Sequence, residues 1–314
     1  MRLVRPRDKN YARVLRSLDR RAVPNPSVEK TVRTIISAIV KDGDAALLRL
    51  TKKFGGPKLT LAQLRIPSAE LSAAWSGLDA PTRRALQAAH RNIRAFAAKS
   101  LRRNWSGRNA QGARTGERFD PLQRVGIYVP GGSAPLVSTA LMTCTLAAAA
   151  GVKEIVAVTP AGPDGTVNPA LLAALHLAGA TEVYRVGGAQ AVAALALGTK
   201  TIAPVAKIFG PGNSYVVEAK RQLFGRVAVD LLPGPSEILV IADRTAHPAW
   251  VAADLLAQAE HGGDSAAILL TDSPAILAAT AREVQKQART LPRGKILEAS
   301  LQNALLVLVP SLDE

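Results

Sequence analysis

The segment Val125-Gly-Ile-Tyr-Val-Pro-Gly-Gly-Ser133 decides the fold class. Val125–Val129 is a short apolar run that predicts a buried strand, and the proline and glycines after it end that strand in a turn. An alanine-rich stretch, Ala134–Ala150, follows and predicts a helix. The unit then repeats downstream. Strands are predicted at Glu154–Thr159, Glu182–Val186 and Lys207–Phe209, each followed by a helix, at Pro169–Leu177, Ala189–Leu197 and Asn213–Phe224. This β-α-β-α alternation implies a parallel sheet covered by helices on both faces.

Beyond Phe224 the pattern resumes. Val227–Leu231 and Ile238–Ile241 read as strands, His247–His261 as a helix, Ala267–Leu270 as a strand, Pro274–Thr290 as a helix and Leu305–Val309 as a last strand. Upstream of Val125 the texture is helical. Ser27 caps a stripe of Val28, Val32, Ile35, Ile36 and Ile39, and Asp44 recaps a helix running to Phe54. Pro81 opens a long helix in which Leu86, Ile93 and Phe96 pack inward, and residues 100–124 are expected to form a loop or short hairpin. Before all of these lies a basic arm with Tyr11, Val14, Leu15 and Leu18 at helical spacing.

Composition narrows the class of function. The chain has 314 residues, 48% hydrophobic and 20% charged, the balance of a globular protein with room for two domains. Its single cysteine, Cys144, sits in an apolar run and is expected to be a small buried hydrophobe. One cysteine forms no internal disulfide, which fits a reducing compartment. Met1–Lys9 has no apolar signal core, and the longest apolar run, near Ala140–Val152, is too short to span a bilayer. A cytoplasmic protein with no membrane association is expected. The net charge of +16 is concentrated in residues 1–125, which hold 27 of the 40 Lys and Arg against 9 of the 24 Asp and Glu. No aromatic stacking pattern accompanies it, so a solvated basic surface is expected rather than a nucleic-acid interface.

Four strand ends carry glycine or proline turns: Tyr128–Ser133, Gly187–Gln190, Gly210–Asn213 and Gly234–Glu237. Ligands bind at the carboxyl ends of strands in open parallel sheets. Glycines let the backbone approach a ligand, and the helix start that follows offers free N–H groups to an anion. The first three turns, ahead of helices in one unit, favour a nucleotide crevice, although none matches Gly-x-Gly-x-x-Gly. A second focus is Ala253–Thr271, where Gly262-Gly263 ends a helix whose last turn carries Gln258 and His261 three apart on one face. An imidazole and an amide so placed form half of a metal or substrate site.

Val125-Gly-Ile-Tyr-Val-Pro-Gly-Gly-Ser-Ala-Pro-Leu, Val186-Gly-Gly-Ala-Gln-Ala, Lys207-Ile-Phe-Gly-Pro-Gly-Asn, Gly234-Pro-Ser-Glu and Ala253-Asp-Leu-Leu-Ala-Gln-Ala-Glu-His together resemble the histidinol dehydrogenases. The resemblance implies an α/β fold of two interleaved, incomplete Rossmann-like domains with parallel sheets, plus an N-terminal helical arm. The domains are expected as an arm at 1–23, a discontinuous α/β domain at 24–124 plus 238–314, and an NAD-binding domain at 125–237. The resemblance further implies a four-electron oxidation of L-histidinol to L-histidine through the aldehyde, with NAD and one zinc ion that orients the substrate, in a homodimer.

Residue by residue, the resemblance puts Tyr128, Gln190 and Asn213 on NAD and Ser236 on the substrate. It makes Gln258 and His261 zinc ligands that also touch histidinol. The family's acid–base Glu-His pair and its two other zinc ligands are expected beyond Glu314, since no Pro-Glu-His occurs in these 314 residues. No catalytic residue is therefore assigned within the chain, and by itself it is expected to be impaired. The competing expectation is a non-catalytic nucleotide fold that binds NAD or a partner.

Overall fold

In the computed structural model, residues 1–18, 25–131, 136–233, 237–261, 265–292 and 294–313 are described, the side chain of Lys295 excepted. The chain opens with strand β1 (Arg2–Val4) and helix α1 (Tyr11–Leu18). Helices α2 (Pro26–Asp42), α3 (Asp44–Lys53), α4 (Leu61–Leu64), α5 (Ser68–Ser76) and α6 (Ala80–Ser100) follow, then the hairpin of β2 (Trp105–Arg108) and β3 (Arg114–Glu117). The alternating region runs β4 (Arg124–Tyr128), α7 (Val137–Ala149), β5 (Glu154–Thr159), α8 (Pro169–Leu177), β6 (Glu182–Arg185), α9 (Gly188–Leu197), β7 (Lys207–Phe209), α10 (Ser214–Leu223) and β8 (Ala228–Val229). The rest is β9 (Glu237–Ile241), α11 (Pro248–Ala259), β10 (Ala266–Thr271), α12 (Pro274–Ala288), α13 (Gly294–Asn303) and β11 (Leu305–Leu308).

Contacts divide the chain into two units, one of residues 24–232 and one of 1–23 with 233–314. The larger unit holds a parallel sheet in the order β6-β5-β4-β7-β8. The chain leaves β4 toward one edge and returns to place β7 on its other side, so the direction of winding reverses between β4 and β7. Side chains alternate along the strands. Val156 and Val158 enter a core with Val32, Ile35, Leu47 and Leu195, while Ile155 and Ala157 enter a second core with Leu71, Cys144 and Leu171. Thus α2, α3, α9 and α10 cover one face and α5 to α8 the other. Caps fix the helix starts: Asn25, Asp79, Asn168 and Asn213 each accept from backbone N–H groups of the first turn.

The smaller unit holds a second parallel sheet, β1-β11-β10-β9. α11, α12 and α13 supply one core against it. Val14 of α1 packs with Val4, Ile268, Leu305 and Val307.

Three expectations are corrected, the first being that Phe96 of α6 packs inward: it is 73% exposed. The helices of residues 24–124 belong with the 125–232 sheet, not with 238–314. Their apolar stripes are the covers that the larger sheet requires on both faces, a pairing that helix periodicity does not encode. The N-terminal segment is also not a separate arm. Leu3 pairs with Leu306 and Val4 with Val307, so β1 completes the smaller sheet and α1 lies over it. The basic residues around this three-residue strand hid it. Cys144 is fully buried, and burial pushes its thiol up to about 12, as a small core hydrophobe requires. Among the described residues, no helix is long and apolar enough to cross a membrane.

Candidate functional site

Three of the glycine turns converge on one cavity in the larger unit. Tyr128 ends β4, Gly187 and Gly188 lead into α9, and Asn213 caps α10; all four, with Gly131 and Gln190, line a cavity of about 370 Å³. It opens at the carboxyl ends of the strands, where the winding reverses, which is the usual ligand position in such sheets. A neighbouring cavity of about 980 Å³ shares Gly131, Pro160 and Ala161 with it.

The polar groups are set by the backbone. The buried Tyr128 hydroxyl accepts the Gly188 N–H at 3.0 Å, which leaves its own proton to donate. Burial raises the Tyr128 pKa, opposed by that N–H, so the phenol stays protonated. Gly188 has φ +72, and a Cβ there would lie 2.8 Å from Gln190 Oε1. Glycine therefore lets the Gln190 amide lie against the turn. Gln190 is 4% exposed and its Oε1 has no hydrogen-bond partner. An unpartnered buried carbonyl costs free energy until a donor arrives. Asn213 Oδ1 accepts from Tyr215 N and Val216 N at 3.1 and 3.2 Å, so its Nδ2 remains as a donor. The starts of α9 and α10 add the positive end of each helix dipole. The cavity thus presents two donors, one waiting acceptor and two helix N-termini. Such a set suits a ligand carrying hydroxyls and phosphates.

Thr31 from α2, Thr51 from α3 and Phe54 at the end of α3 also line this cavity. Sequence reasoning missed them. Thr31 stands beside the apolar stripe of α2 with no motif around it, and only the packing of that helix on the sheet brings it to the site.

In the smaller unit, Gln258 and His261 sit at the carboxyl end of α11, where His261 N–H donates to Gln258 O at 3.1 Å. Gln258 is half-buried with Nε2 unpartnered, and His261 is exposed. Among the described residues, no three His, Cys, Asp or Glu side chains come together to hold a metal. Two donors fall short of the three or four protein ligands of a zinc site, so the described set does not by itself fit zinc. Ser236, the glycine stop at 262–263 and most of the turn at 234–237 lie outside the described residues.

A sequence profile described as histidinol dehydrogenase matches residues 18–314. The histidinol dehydrogenase of Rhodopseudomonas palustris is 50% identical over 273 residues, covering 87% of this chain and 63% of that protein. That of Synechococcus sp. is 46% identical over 286 residues, covering 91% of this chain and 66% of the relative. The chain thus spans just under two thirds of the length of these two relatives. The crystal structure of histidinol dehydrogenase from Elizabethkingia anophelis superposes with a TM-score of 0.87 at 38% identity, covering all of this chain and 72% of that one. On the matched length, the identity and the shared fold, the chain belongs to the histidinol dehydrogenase family.

Proposed function

We propose that this chain carries the dinucleotide half of an NAD-dependent oxidation of L-histidinol to L-histidine, and part of its substrate half. Family membership supports the reaction. The observation that carries the cofactor reading is the unpartnered Gln190 Oε1, in a cavity that Tyr128 and Asn213 also line at the switch point of the sheet. This donor set fits a dinucleotide. In the proposal, Tyr128 donates to a ribose or phosphate oxygen, Gln190 accepts from the cofactor, and Asn213 donates through Nδ2. The α9 and α10 N-termini offset the pyrophosphate charge. NAD, when bound, supplies the hydride acceptor. These residues bind and orient, and holding the reacting carbon near the nicotinamide is itself a large part of catalysis.

Gln258 and His261 are assigned to the substrate side, as contacts of histidinol and as two of the ligands of a zinc site. Ser236 is kept there as a substrate contact on the strength of the resemblance. These two donors alone do not complete a zinc shell among the described residues. A cytoplasmic homodimer completes the proposal, supported by the family relationship.

The test is a fluorescence titration of the 314-residue chain with NADH, followed by NADH production from L-histidinol with NAD and zinc present. Saturable NADH binding that is lost in Tyr128→Phe/Gln190→Leu is the expected result. A double variant that binds NADH as tightly as the parent would sink the cofactor assignment. Turnover would favour the dehydrogenase over the non-catalytic nucleotide fold, while binding without turnover is expected of either reading.

A further inference from the structure

Lys220 is a cation on the apolar face of α10, beside Val216, Ala219 and Leu223, and it is 1% exposed. Burying an ammonium is costly, and an apolar side chain of similar size would fill the same space without that cost. Its contacts show what the charge achieves. Lys220 Nζ donates to Gly210 O at 2.7 Å and to Asp230 Oδ1, while Asp230 Oδ2 accepts the Gly210 N–H at 2.8 Å. Asp230 Oδ1 also accepts from Leu231 N at 2.7 Å. One ion pair therefore grips both backbone groups of a single glycine.

That glycine is the hinge of the third turn of the site. Gly210 has φ +113, and a Cβ there would overlap the Tyr128 carbonyl oxygen. Three residues later, Asn213 caps α10 and faces the cavity. The pair ties three pieces together: the residue that follows β7, the last turn of α10 and the segment after β8. None of the lining residues of the cavity is Lys220 or Asp230.

We infer that Lys220 and Asp230 are a positioning pair for the cofactor pocket, which clamp Gly210 and thereby set the Gly210–Asn213 turn and the α10 N-terminus against the ligand. The inference rests on the cofactor reading above. A purely structural pair would lower stability when broken; a positioning pair also loosens this turn and weakens the ligand.

The experiment compares Lys220→Met, Lys220→Arg and Asp230→Asn with a control, Arg124→Met, which breaks an ion network at the opposite end of the same sheet. Two quantities are read on folded protein: hydrogen exchange of the peptide spanning residues 210–216, and the dissociation constant of NADH. In Lys220→Met and Asp230→Asn, exchange should speed up in that peptide and NADH binding should weaken roughly tenfold, as expected when a ligand-facing group shifts. Lys220→Arg should recover part of both. The control should lose thermal stability while keeping both readings close to the parent. If Lys220→Met does not fold, Asp230→Asn and Lys220→Arg carry the comparison. Unchanged exchange at 210–216 overturns the clamp. Faster exchange with parental NADH affinity, or equal weakening in the control, overturns its positioning role. A parent chain that binds no NADH while its variants still loosen the turn removes the cofactor reading and leaves the clamp alone.

Discussion

Gln190 and Gln258 are both helical glutamines with a buried amide atom that has no partner, the Oε1 of one and the Nε2 of the other. Gln190 lies in the first turn of α9 with its carbonyl Oε1 unpartnered; Gln258 lies in the last turn of α11 with its Nε2 unpartnered. Helix position sets what each end attracts. An N-terminus carries partial positive charge and free N–H groups, so it favours anions; a C-terminus carries partial negative charge and favours cations. The Gln190 end therefore favours an anionic group. The Gln258 end, with His261 one turn on, has the polarity for a metal ion, and a zinc role would need Oε1 at the metal and an acceptor for Nε2. Enclosure separates them too: Gln190 is walled in by turns from β4, β6 and β7, whereas His261 is exposed.

The largest expected effect tests how firmly the walled site is founded. Arg124, 12% exposed, bridges the first residues of three strands, bonding Glu154 at 2.6 Å and Glu182 at 2.9 and 3.0 Å. Arg124→Met leaves two carboxylates facing each other without their cation. Urea unfolding should show a loss of about 1.5–3 kcal/mol in the larger unit, since the network is only partly buried. A loss within the range of an exposed pair would mean that this network is not what holds the floor of the sheet.

The same network has a pH signature. The Arg124 guanidinium, aided by the Tyr184 hydroxyl, holds Glu182 down to about 2 from its ordinary 4.5. A depressed folded value means that the unfolded chain takes up the proton first. The contribution is then complete above pH 4.5 and disappears as pH falls toward about 2. Denaturation midpoints measured across that window should fall, and Glu182→Gln should flatten the slope. In the parent, burial and then the hydrogen bond to Glu182 push the Tyr184 phenol up to about 12.

The two glutamines themselves give the next effect. Gln190→Leu should weaken NADH binding by about 1–3 kcal/mol, since it removes the waiting acceptor, while unliganded stability stays the same or rises. Gln258→Leu should leave NADH affinity unchanged. Equal effects of the two substitutions in a binding titration would erase the distinction between the two ends.

The smallest effect is at His261. Being exposed, His261→Ala should change unfolding free energy by less than about 0.5 kcal/mol, and its consequence should appear only where zinc or histidinol is present. A large stability loss from this substitution alone would make His261 a packing residue instead.

Much of this molecule could be read from the chain itself. Val125–Val129, Glu154–Thr159 and the helices between them were legible because strand and helix periodicities are local and the glycines punctuate them. For the same reason the first three turns could be gathered at one sheet end. In the structure they share one cavity, with Tyr128, Gln190 and Asn213 in its walls. The short strand at Arg2–Val4 was not legible, because its pairing partners at Leu305–Val307 lie far along the chain.

The sequence by itself determined the order of strands and helices and the residues that end each strand, since both follow from local spacing and backbone preference. Only the tertiary structure decided which helices cover which sheet, because an apolar stripe fits any apolar face and the choice is made by packing among distant segments. It also decided that Thr31 and Phe54 join the cavity and that a buried lysine grips Gly210, for those contacts depend on distances in space that no spacing along the chain records.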